Sequence, residues 1–282
     1  MSAELKLISR YSEVKELVRT IFSKDFTVLD QHHKDFHGPP SFSITNRDKL
    51  CLQFSFNHDL SELYIHSLNK CGDFRIGRFL LEKMDELAIS IKECNVIMLS
   101  DKSEISICGC VINLAKLEIL KTGESWYNKH GYRQENYQSD FSFNQRFITL
   151  PVRVVQEFIS DHDIDGDIES LGHVIPELNP SLPLTDYIKI LFGYIKSKSY
   201  PEDGCNSEQT CFIKIVENVI EAFGQLLRYN ESNDSLRKDV PRGLSSSGGS
   251  EKRIMHKSRR RTKTRPRKTK TRPSKTKIIR KR

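Results

Sequence analysis

The sequence lacks any apolar run that approaches the roughly 18 to 20 residues of a membrane-spanning helix. Its beginning, MSAELKLISRYSEVKELV, has a helical period but carries charges throughout, without the apolar core of a secretory signal. These absences predict a protein with no membrane span and favour an intracellular location.

Cysteine pairs with metal-binding spacing are also missing. Cys108-Gly109-Cys110 is too tight for a zinc pair, and no CxxC occurs in the chain. An odd, scattered set is typical of reduced thiols in an intracellular protein. We therefore predict reduced thiols for all seven cysteines, which are Cys51, Cys71, Cys94, Cys108, Cys110, Cys205 and Cys211.

Two stretches resemble metal sites without completing one. His33 and His37 are four residues apart, but no cluster of acidic or Cys residues accompanies them, and Gly-Pro-Pro indicates a solvated loop over 25–40. Residues 161–169, DHDIDGDIE, match the start of a calcium loop, yet Gly172 stands where a bidentate Glu is required. An acidic surface turn is the favoured interpretation, and no metal site is predicted.

Acidic residues are absent from residues 252–282, which hold 17 Lys and Arg. Residues 1–251 hold 28 basic and 37 acidic residues, a net charge of −9 against +8 for the whole chain. The sequence therefore predicts an acidic body with a strongly basic tail.

The tail has no aromatic and almost no apolar residues, so it cannot bury a core and is expected to be disordered alone. Its charge favours non-specific binding of nucleic acid through residues 252–282, and the lack of aromatics argues against base stacking. A solubilising or nuclear-import segment is the alternative. Residues 231–251, which contain SSSGG, are predicted to be a flexible linker.

Apolar periodicity predicts the order of the elements. Alternation between Ser41 and Leu68, interrupted by Asn-Arg-Asp and Asn-His-Asp turns, predicts three antiparallel strands. A further strand is predicted over 95–101, and one or two strands after Tyr132. Helical spacing predicts helices over 4–22, 76–91, 112–129, 184–198 and 210–229. The fold class is mixed α/β (α+β), with a mostly antiparallel sheet, flanking helices and C-terminal helices.

The order of strand, turn, helix and strand from Leu63 to Asp101 predicts a right-handed crossover between two parallel strands. The turn NKCGDFRIG (69–77) leads into the start of the helix, where free N–H groups and the positive end of the helix dipole attract anions. A phosphate-bearing cofactor is the usual occupant of such a place. In the helix predicted over 112–129, Gly123 leaves open a division into two pieces.

Residues 125–132, Ser-Trp-Tyr-Asn-Lys-His-Gly-Tyr, match a Tyr-x-x-x-Gly-aromatic signature. With the strands from Ser41 onward, they make the chain resemble GNAT-type N-acetyltransferases. Its basic tail makes it most similar to GNAT-like proteins of giant DNA viruses. The resemblance implies a GNAT-like domain over 1–150 with a helical extension over 151–230, in the cytoplasm or nucleus of a host cell or in a virion.

The resemblance also implies acetyl-CoA as the cofactor, in a cleft where the strands 63–68 and 95–101 part. The acetyl carbonyl would accept a hydrogen bond from a backbone N–H near Ser67 or Leu68, and Tyr127 matches the tyrosine that protonates the leaving thiolate. The amine would attack directly, without an acyl-enzyme. The backbone N–H groups implied to bind the pyrophosphate are those of Arg75, Ile76, Gly77 and Arg78.

A base must take a proton from the attacking amine. Candidates by position are Glu62, His66, Asp101 and Glu104. Glu62 and His66 lie on the central strand and are predicted as catalytic residues with Tyr127, although a structural role is the favoured interpretation for His66.

One position departs from the family pattern Arg/Gln-x-x-Gly-x-Gly/Ala. Gly77 fits the last position, but Arg75 stands at the first Gly and Gly72 at the Arg/Gln. The Arg75 side chain either crowds the phosphate path or adds a charge-assisted contact to it. Two hypotheses follow: an acetyl-CoA-dependent N-acetyltransferase with a nucleic-acid-binding tail, or a catalytically inactive GNAT-like module in a DNA-associated or virion-packaged basic protein. For Trp126 and Tyr132, core packing is the favoured interpretation.

Overall fold

The computed structural model describes residues 3–30, 41–69, 71, 76–159, 164–201, 204–229 and 235–241. The strands are β1 (Thr27–Asp30), β2 (Ser41–Asn46), β3 (Lys49–Asn57), β4 (Glu62–Leu68), β5 (Val96–Ser100), β6 (Glu104–Ile107), β7 (Cys110–Asn113) and β8 (Ser235–Asp239). The helices are α1 (Ala3–Phe22), α2 (Ile76–Ser90), α3 (Leu114–Thr122), α4 (Trp126–Lys129), α5 (Tyr137–Phe147), α6 (Val152–Gln156), α7 (Ile164–Val174), α8 (Leu184–Ser197) and α9 (Ser207–Gln225). None of these helices is long and apolar enough to cross a bilayer.

Six strands form one sheet in the order β1-β2-β3-β4-β5-β8, and β6 and β7 form a separate hairpin. Every neighbouring pair in the large sheet is antiparallel except β4 and β5, which are parallel and joined through α2. The predicted class, a mixed α/β fold with a mostly antiparallel sheet and flanking helices, is confirmed, as is the crossover from β4 to β5.

One hydrophobic core lies between the sheet and the first two helices. Leu52, Phe54 and Phe56 alternate along β3 and are fully buried, as the period of two requires. They share a core with the apolar faces of α1 and α2, and these two helices also contact each other. The helix predicted over 4–22 is therefore confirmed.

A second core joins β7 and α3 to the helices that follow. Residues of α5 to α9 pack in one cluster with α3, so the segment predicted as a helical extension does not have a core of its own. An ion pair also joins two of these helices: Nζ of the buried Lys116 in α3 lies 2.7 Å from Oε1 of the exposed Glu221 in α9. The cluster thus holds α3 against the helices that follow, whereas Trp126 and Tyr127 of α4 pack in the first core.

The prediction of reduced thiols is wrong for four of the seven cysteines. Cys51 of β3 is bonded to Cys71, which follows β4, and Cys108 of the β6–β7 turn is bonded to Cys205. The partners are 20 and 97 residues apart in the chain, so spacing alone gave no pairing signal. Because these four cysteines are disulfide-bonded, reduced thiols no longer support the predicted intracellular location.

Two predicted elements differ from those in the structure. The strands expected after Tyr132 are the helix α5, and the helix expected over 112–129 is the end of β7 followed by α3 and α4. Gly123 separates the two helices with a φ of 85°, so the alternative of two pieces is correct.

Three predicted loops contain regular structure. The linker predicted over 231–251 contains β8, which pairs with β5, and the loop predicted over 25–40 contains β1. The acidic turn predicted over 161–169 is helical from Ile164 onward. His32, His33 and His37, residues 161–163 and the basic tail lie outside the described residues.

Candidate functional site

The parallel pair β4–β5 is closed at one end and open at the other. The strands are in register from Glu62 with Val96 to Ile65 with Leu99. Beyond Ile65, β4 continues beside β3 alone, with one irregularity: Phe54 pairs with Ile65 and Gln53 with Ser67, which leaves His66 as an extra residue. A bulge bends its strand and increases the local twist. The bulge at His66 therefore lies where β4 leaves β5.

A cavity of about 550 Å³ lies at this open end. Such a volume is within the range of roughly 300 to 1,000 Å³ that is usual for small-molecule sites. The lining residues come from the end of β4, the start of α2, the segment after β5, the start of α3 and the start of α4: Leu68, Asn69, Ile76, Gly77, Asp101, Lys102, Ser103, Glu104, Leu114, Ala115, Trp126 and Tyr127.

The backbone N–H of Leu68 is directed away from β3. The N–H of Asn69 donates to the Cys51 carbonyl oxygen over 2.7 Å, and Leu68 is paired with Leu52. In an antiparallel ladder, this makes Leu68 and Leu52 a non-hydrogen-bonded pair, whose own N–H groups point outward. On that side β5 has already ended its pairing, so the amide of Leu68, not that of Ser67, is directed to the cavity side of β4.

The start of α2 forms a second wall. Ile76 and Gly77 line the cavity, and the first helical residues carry N–H groups that no intrahelical carbonyl can satisfy. The Trp126 ring packs on this turn, because a Cβ added to Gly77 would lie 3.4 Å from Trp126 Cη2. Arg78 points elsewhere: its Nε is 2.9 Å from Glu82 Oε1 on the exposed helix surface. Arg75, which stands where the GNAT pattern has its first Gly, lies outside the described residues.

Tyr127 is held in the cavity wall by a short capped helix. The Ser125 hydroxyl accepts from the backbone N–H of Asn128, and the Asn128 side chain accepts from the N–H of Ser125 and donates to the Tyr132 carbonyl oxygen. These bonds define the ends of α4, which at four residues is too short to be stable alone. Tyr127 is 8% exposed, and burial, followed by the nearby Asp101 charge, raises the pKa of its hydroxyl to about 12. Tyr132 is fully buried in the core, as predicted, whereas Trp126 is only partly buried and also lines the cavity.

Asp101 lies directly after β5 and is also only 8% exposed. Its Oδ1 accepts from the Ser103 hydroxyl over 2.8 Å, and its Oδ2 is buried without a hydrogen-bond partner of good geometry among the described residues. Burial raises the pKa of this carboxyl, and the hydroxyls of Ser103, Ser125 and Tyr229 oppose the shift. The Ser103 hydroxyl also lies near enough to the Tyr127 hydroxyl to oppose the rise in its pKa.

The structure separates the four candidates for the base. Glu62 is at the closed end of β4, roughly 20 Å along the strand from Leu68, and does not line the cavity. His66 is exposed, with its Nε2 2.9 Å from Ser55 Oγ and its ring against Tyr64, and partial burial lowers its pKa. Only Asp101 and Glu104 line the cavity. Glu62 and His66 are therefore not brought to Tyr127, and His66 has the contacts of a structural histidine.

Ser103 was missed by the sequence analysis. A lone Ser in a short polar stretch has no motif, and it is notable only because the fold places it in the cavity wall, where it donates to Asp101 Oδ1. Among the described residues, no group of three or more His, Cys, Asp or Glu side chains is placed to hold a metal ion. Comparisons with family models, curated proteins and solved structures found no match, so the chemistry of this cavity is the basis for any functional conclusion.

Proposed function

We propose that the cavity binds acetyl-CoA and that the protein transfers the acetyl group directly to an amine. The observation that carries this proposal is the open end of the β4–β5 pair, where an outward N–H, a helix start and a buried tyrosine hydroxyl surround one cavity. These three groups suit, in the same order, the thioester carbonyl, the pyrophosphate and the leaving thiolate of acetyl-CoA. The resemblance of residues 125–132 to the GNAT signature supports the same assignment.

Each group has a distinct part in the transfer. The Leu68 N–H donates to the acetyl oxygen and stabilises the negative charge that develops there during attack. The free N–H groups at Ile76 and Gly77, with the dipole of the 15-residue α2, attract the pyrophosphate. Tyr127 donates its proton to the coenzyme A sulfur as the C–S bond breaks.

Calorimetric titration with coenzyme A and acetyl-CoA tests the cofactor assignment. Binding should be saturable and should weaken as salt increases, since a pyrophosphate contributes part of it. Dephosphorylated pantetheine, which has the thiol arm without the pyrophosphate, should bind more weakly. If neither coenzyme A nor acetyl-CoA binds, the proposal is wrong.

The alternative of a catalytically inactive module makes a different prediction for the same assay. Such a module could bind coenzyme A but would not release thiol from acetyl-CoA in the presence of amines. Thiol release measured with a chromogenic disulfide, with Tyr127→Phe as the matched control, separates the two functions. Release that does not exceed the rate without protein, in the wild type as in the variant, would favour the inactive module.

For the basic tail we propose non-specific binding of nucleic acid. The observation in its favour is the density of charge, 17 basic and no acidic residues over 252–282. Truncation after Gly249 should abolish retention of DNA in a mobility-shift assay and leave coenzyme A binding unchanged. Equal retention by the truncated chain would contradict the proposal.

A further inference from the structure

The surface of α8 carries positive charge and aromatic rings that the proposed acetyl transfer does not use. Residues 184–200 hold three Lys and one Asp, whereas residues 1–251 hold 37 acidic and 28 basic residues. The lysines of this segment are exposed, and two of its aromatic rings, Phe192 and Tyr194, are half-buried. Basic residues interleaved with aromatic ones are typical of surfaces that bind single-stranded nucleic acid.

Two ammonium groups from different helices lie over the Phe192 ring. Lys196 Nζ, one turn further along α8, is 4.5 Å from the ring centroid, and Lys121 Nζ at the end of α3 is 5.3 Å from it. The Thr185 hydroxyl donates to the Lys121 carbonyl oxygen over 2.9 Å and holds this end of α3 beside α8. Lys121 Nζ also pairs with Glu118 Oε2 over 2.6 Å. The contact within α8 is one between helical neighbours, whereas the contact from α3 is made by the tertiary fold.

A second ring on α8 has a similar arrangement. Lys198 Nζ lies 4.6 Å from the centroid of the Tyr194 ring, which packs at 5.6 Å against Phe212 of α9. Because a helix has 3.6 residues per turn, Phe192 and Tyr194 lie on opposite flanks of the exposed face of α8, with Gly193 between them. The helix therefore presents two rings, each with a lysine over it, on either side of one exposed strip.

The fold itself does not require a glycine at position 193. Gly193 is exposed in the interior of α8, its φ is not in the left-handed region, and an added Cβ would meet nothing within 4 Å. Glycine destabilises a helix interior relative to alanine. Its effect here is to leave the strip between the two rings open to a ligand that approaches the backbone closely.

The lysines of this strip are accessible to phosphate groups. Among the described residues, Lys196 and Lys198 have an aromatic ring rather than a carboxylate beside the ammonium group. Lys189 Nζ lies 3.5 Å from Asp186 Oδ1, but both side chains are about half exposed, and such a surface pair contributes little. A phosphate therefore replaces that carboxylate at small cost.

We propose that this surface of α8 binds single-stranded nucleic acid, with bases stacked on Phe192 and Tyr194 and the phosphate backbone crossing at Gly193 beside the lysines. The inference deepens the nucleic-acid binding proposed for the tail and is independent of the acetyl transfer. Stacking on these rings needs unpaired bases, because the bases of a duplex are already stacked inside it. Binding of duplex DNA is therefore expected to depend on the tail alone.

The contribution of the bases is measured on the full chain with two oligonucleotides of equal charge. One is an oligothymidylate of about 12 nucleotides, and the other is an abasic strand of the same length. The tail should bind both equally, since it contacts phosphate groups only. At a salt concentration that weakens binding of the abasic strand, fluorescence anisotropy should show about tenfold tighter binding of the oligothymidylate.

Equal affinities for the two strands would overturn the α8 surface and leave the tail in place. Tight binding of the oligothymidylate alone, at low as well as high salt, would support the α8 surface and contradict the role of the tail. If neither strand bound, both proposals would be wrong.

Substitutions on α8 locate the base-dependent part of the binding. Phe192→Leu keeps an apolar side chain and removes the stacking face, so the preference for oligothymidylate should fall to about twofold or less. Gly193→Glu places a carboxylate where the backbone crosses, without a steric conflict, and should have the same effect. Phe158→Leu is the matched control, because Phe158 is 60% exposed but does not belong to α8. A preference that persists in both α8 variants, or that Phe158→Leu removes equally, would overturn the proposal.

Photocrosslinking tests where the bases lie. A strand that carries 5-iodouracil is irradiated with the full chain, which is then digested with trypsin. Adducts should appear in the peptide 190–196, which contains both rings. Adducts confined to residues 252–282 would overturn the assignment. Vesicles of phosphatidylserine present negative charge without bases, and binding to them that Phe192→Leu abolishes would make a lipid surface the occupant instead.

Discussion

The two ends of the β4–β5 pair are built from the same two strands and differ in almost everything else. At the Glu62 end, the parallel ladder is complete and Val96 continues the sheet to β8. At the Leu68 end, a bulge turns β4 away, and the gap is bounded by buried Asp101 and Tyr127. Satisfied backbone groups are inert, whereas unpaired ones beside a cavity are available to a ligand.

The difference shows that the direction of the strands decides which of their residues lie near the start of α2. In a parallel pair, both carboxyl ends lie at the same edge, and the crossover helix begins at that edge too. Acidic residues exist at both ends, but only those after β5 lie near the start of α2. A carboxylate at the Glu62 end, however reactive, is one strand length away from the helix dipole.

The largest expected effect is at Tyr127. Tyr127→Phe removes the hydroxyl and keeps the ring in its buried place, so kcat should fall by about 100-fold or more while coenzyme A affinity changes less than about twofold. Thiol release at saturating acetyl-CoA measures the first quantity and calorimetry the second. An unchanged kcat would show that the open end has another acid.

The next effect is at the start of α2. Gly77→Glu adds bulk against the Trp126 ring and a negative charge at the positive end of the dipole, so the Kd for coenzyme A should rise by about tenfold or more. Gly193→Glu is the matched control, because Gly193 is also helical and an added Cβ meets nothing within 4 Å. Equal affinities in the two variants would place the pyrophosphate elsewhere.

A smaller effect is expected at Asp101, on the stability of the fold. Burial raises its pKa, so the folded state binds more protons than the unfolded state and stability falls as pH rises through this range. Asp101→Asn removes that cost, and its melting temperature at pH 7 should be higher than that of the wild type. The difference should vanish below the ordinary pKa of 3.8, where both side chains are neutral. Melting curves recorded across this range check the sign, and a variant that melts lower at pH 7 would contradict it.

The smallest effect is expected at the closed end. Glu62→Gln should leave kcat/KM within about twofold and stability within about 0.5 kcal/mol, as is usual for substitutions away from a special feature. Parallel assays of this variant and Asp101→Asn compare the two ends of one strand pair directly. A large loss with Glu62→Gln would mean that the cavity at Leu68 is not where the chemistry occurs.

The order of the predicted elements indicated more of this site than the residue motifs did. The order of β4, α2 and β5 predicted a parallel pair, and that prediction already assigns Glu62 to the wrong edge and Asp101 to the right one. What no local pattern contains is the bulge at His66, since it exists only in the register of β4 against β3. The placement of Ser103 and Tyr127 in one cavity wall is likewise created by tertiary packing.

Two fold errors have equally specific causes. Phe141 and Phe143 alternate like a strand, but the stacked pairs are Tyr137 with Phe141 and Phe143 with Phe147, each four residues apart as on one helix face. β8 has the polar sequence Ser-Leu-Arg-Lys-Asp, in which only Leu236 is buried in the core. The spacing of four between the aromatic residues of α5 is visible in the sequence. The strand β8, by contrast, forms because β5 lies beside it.

The bond between Cys108 and Cys205 makes a covalent ring of the chain between them, 97 residues apart. Most of the helical core, from α3 to α8, lies within that ring. One proteolytic cut inside it opens the ring without releasing a fragment, so such a nicked protein would run as a single band until a reductant is added. The helices that support α4 are thereby protected against the loss of a piece, and a single cut need not remove Tyr127 from its place.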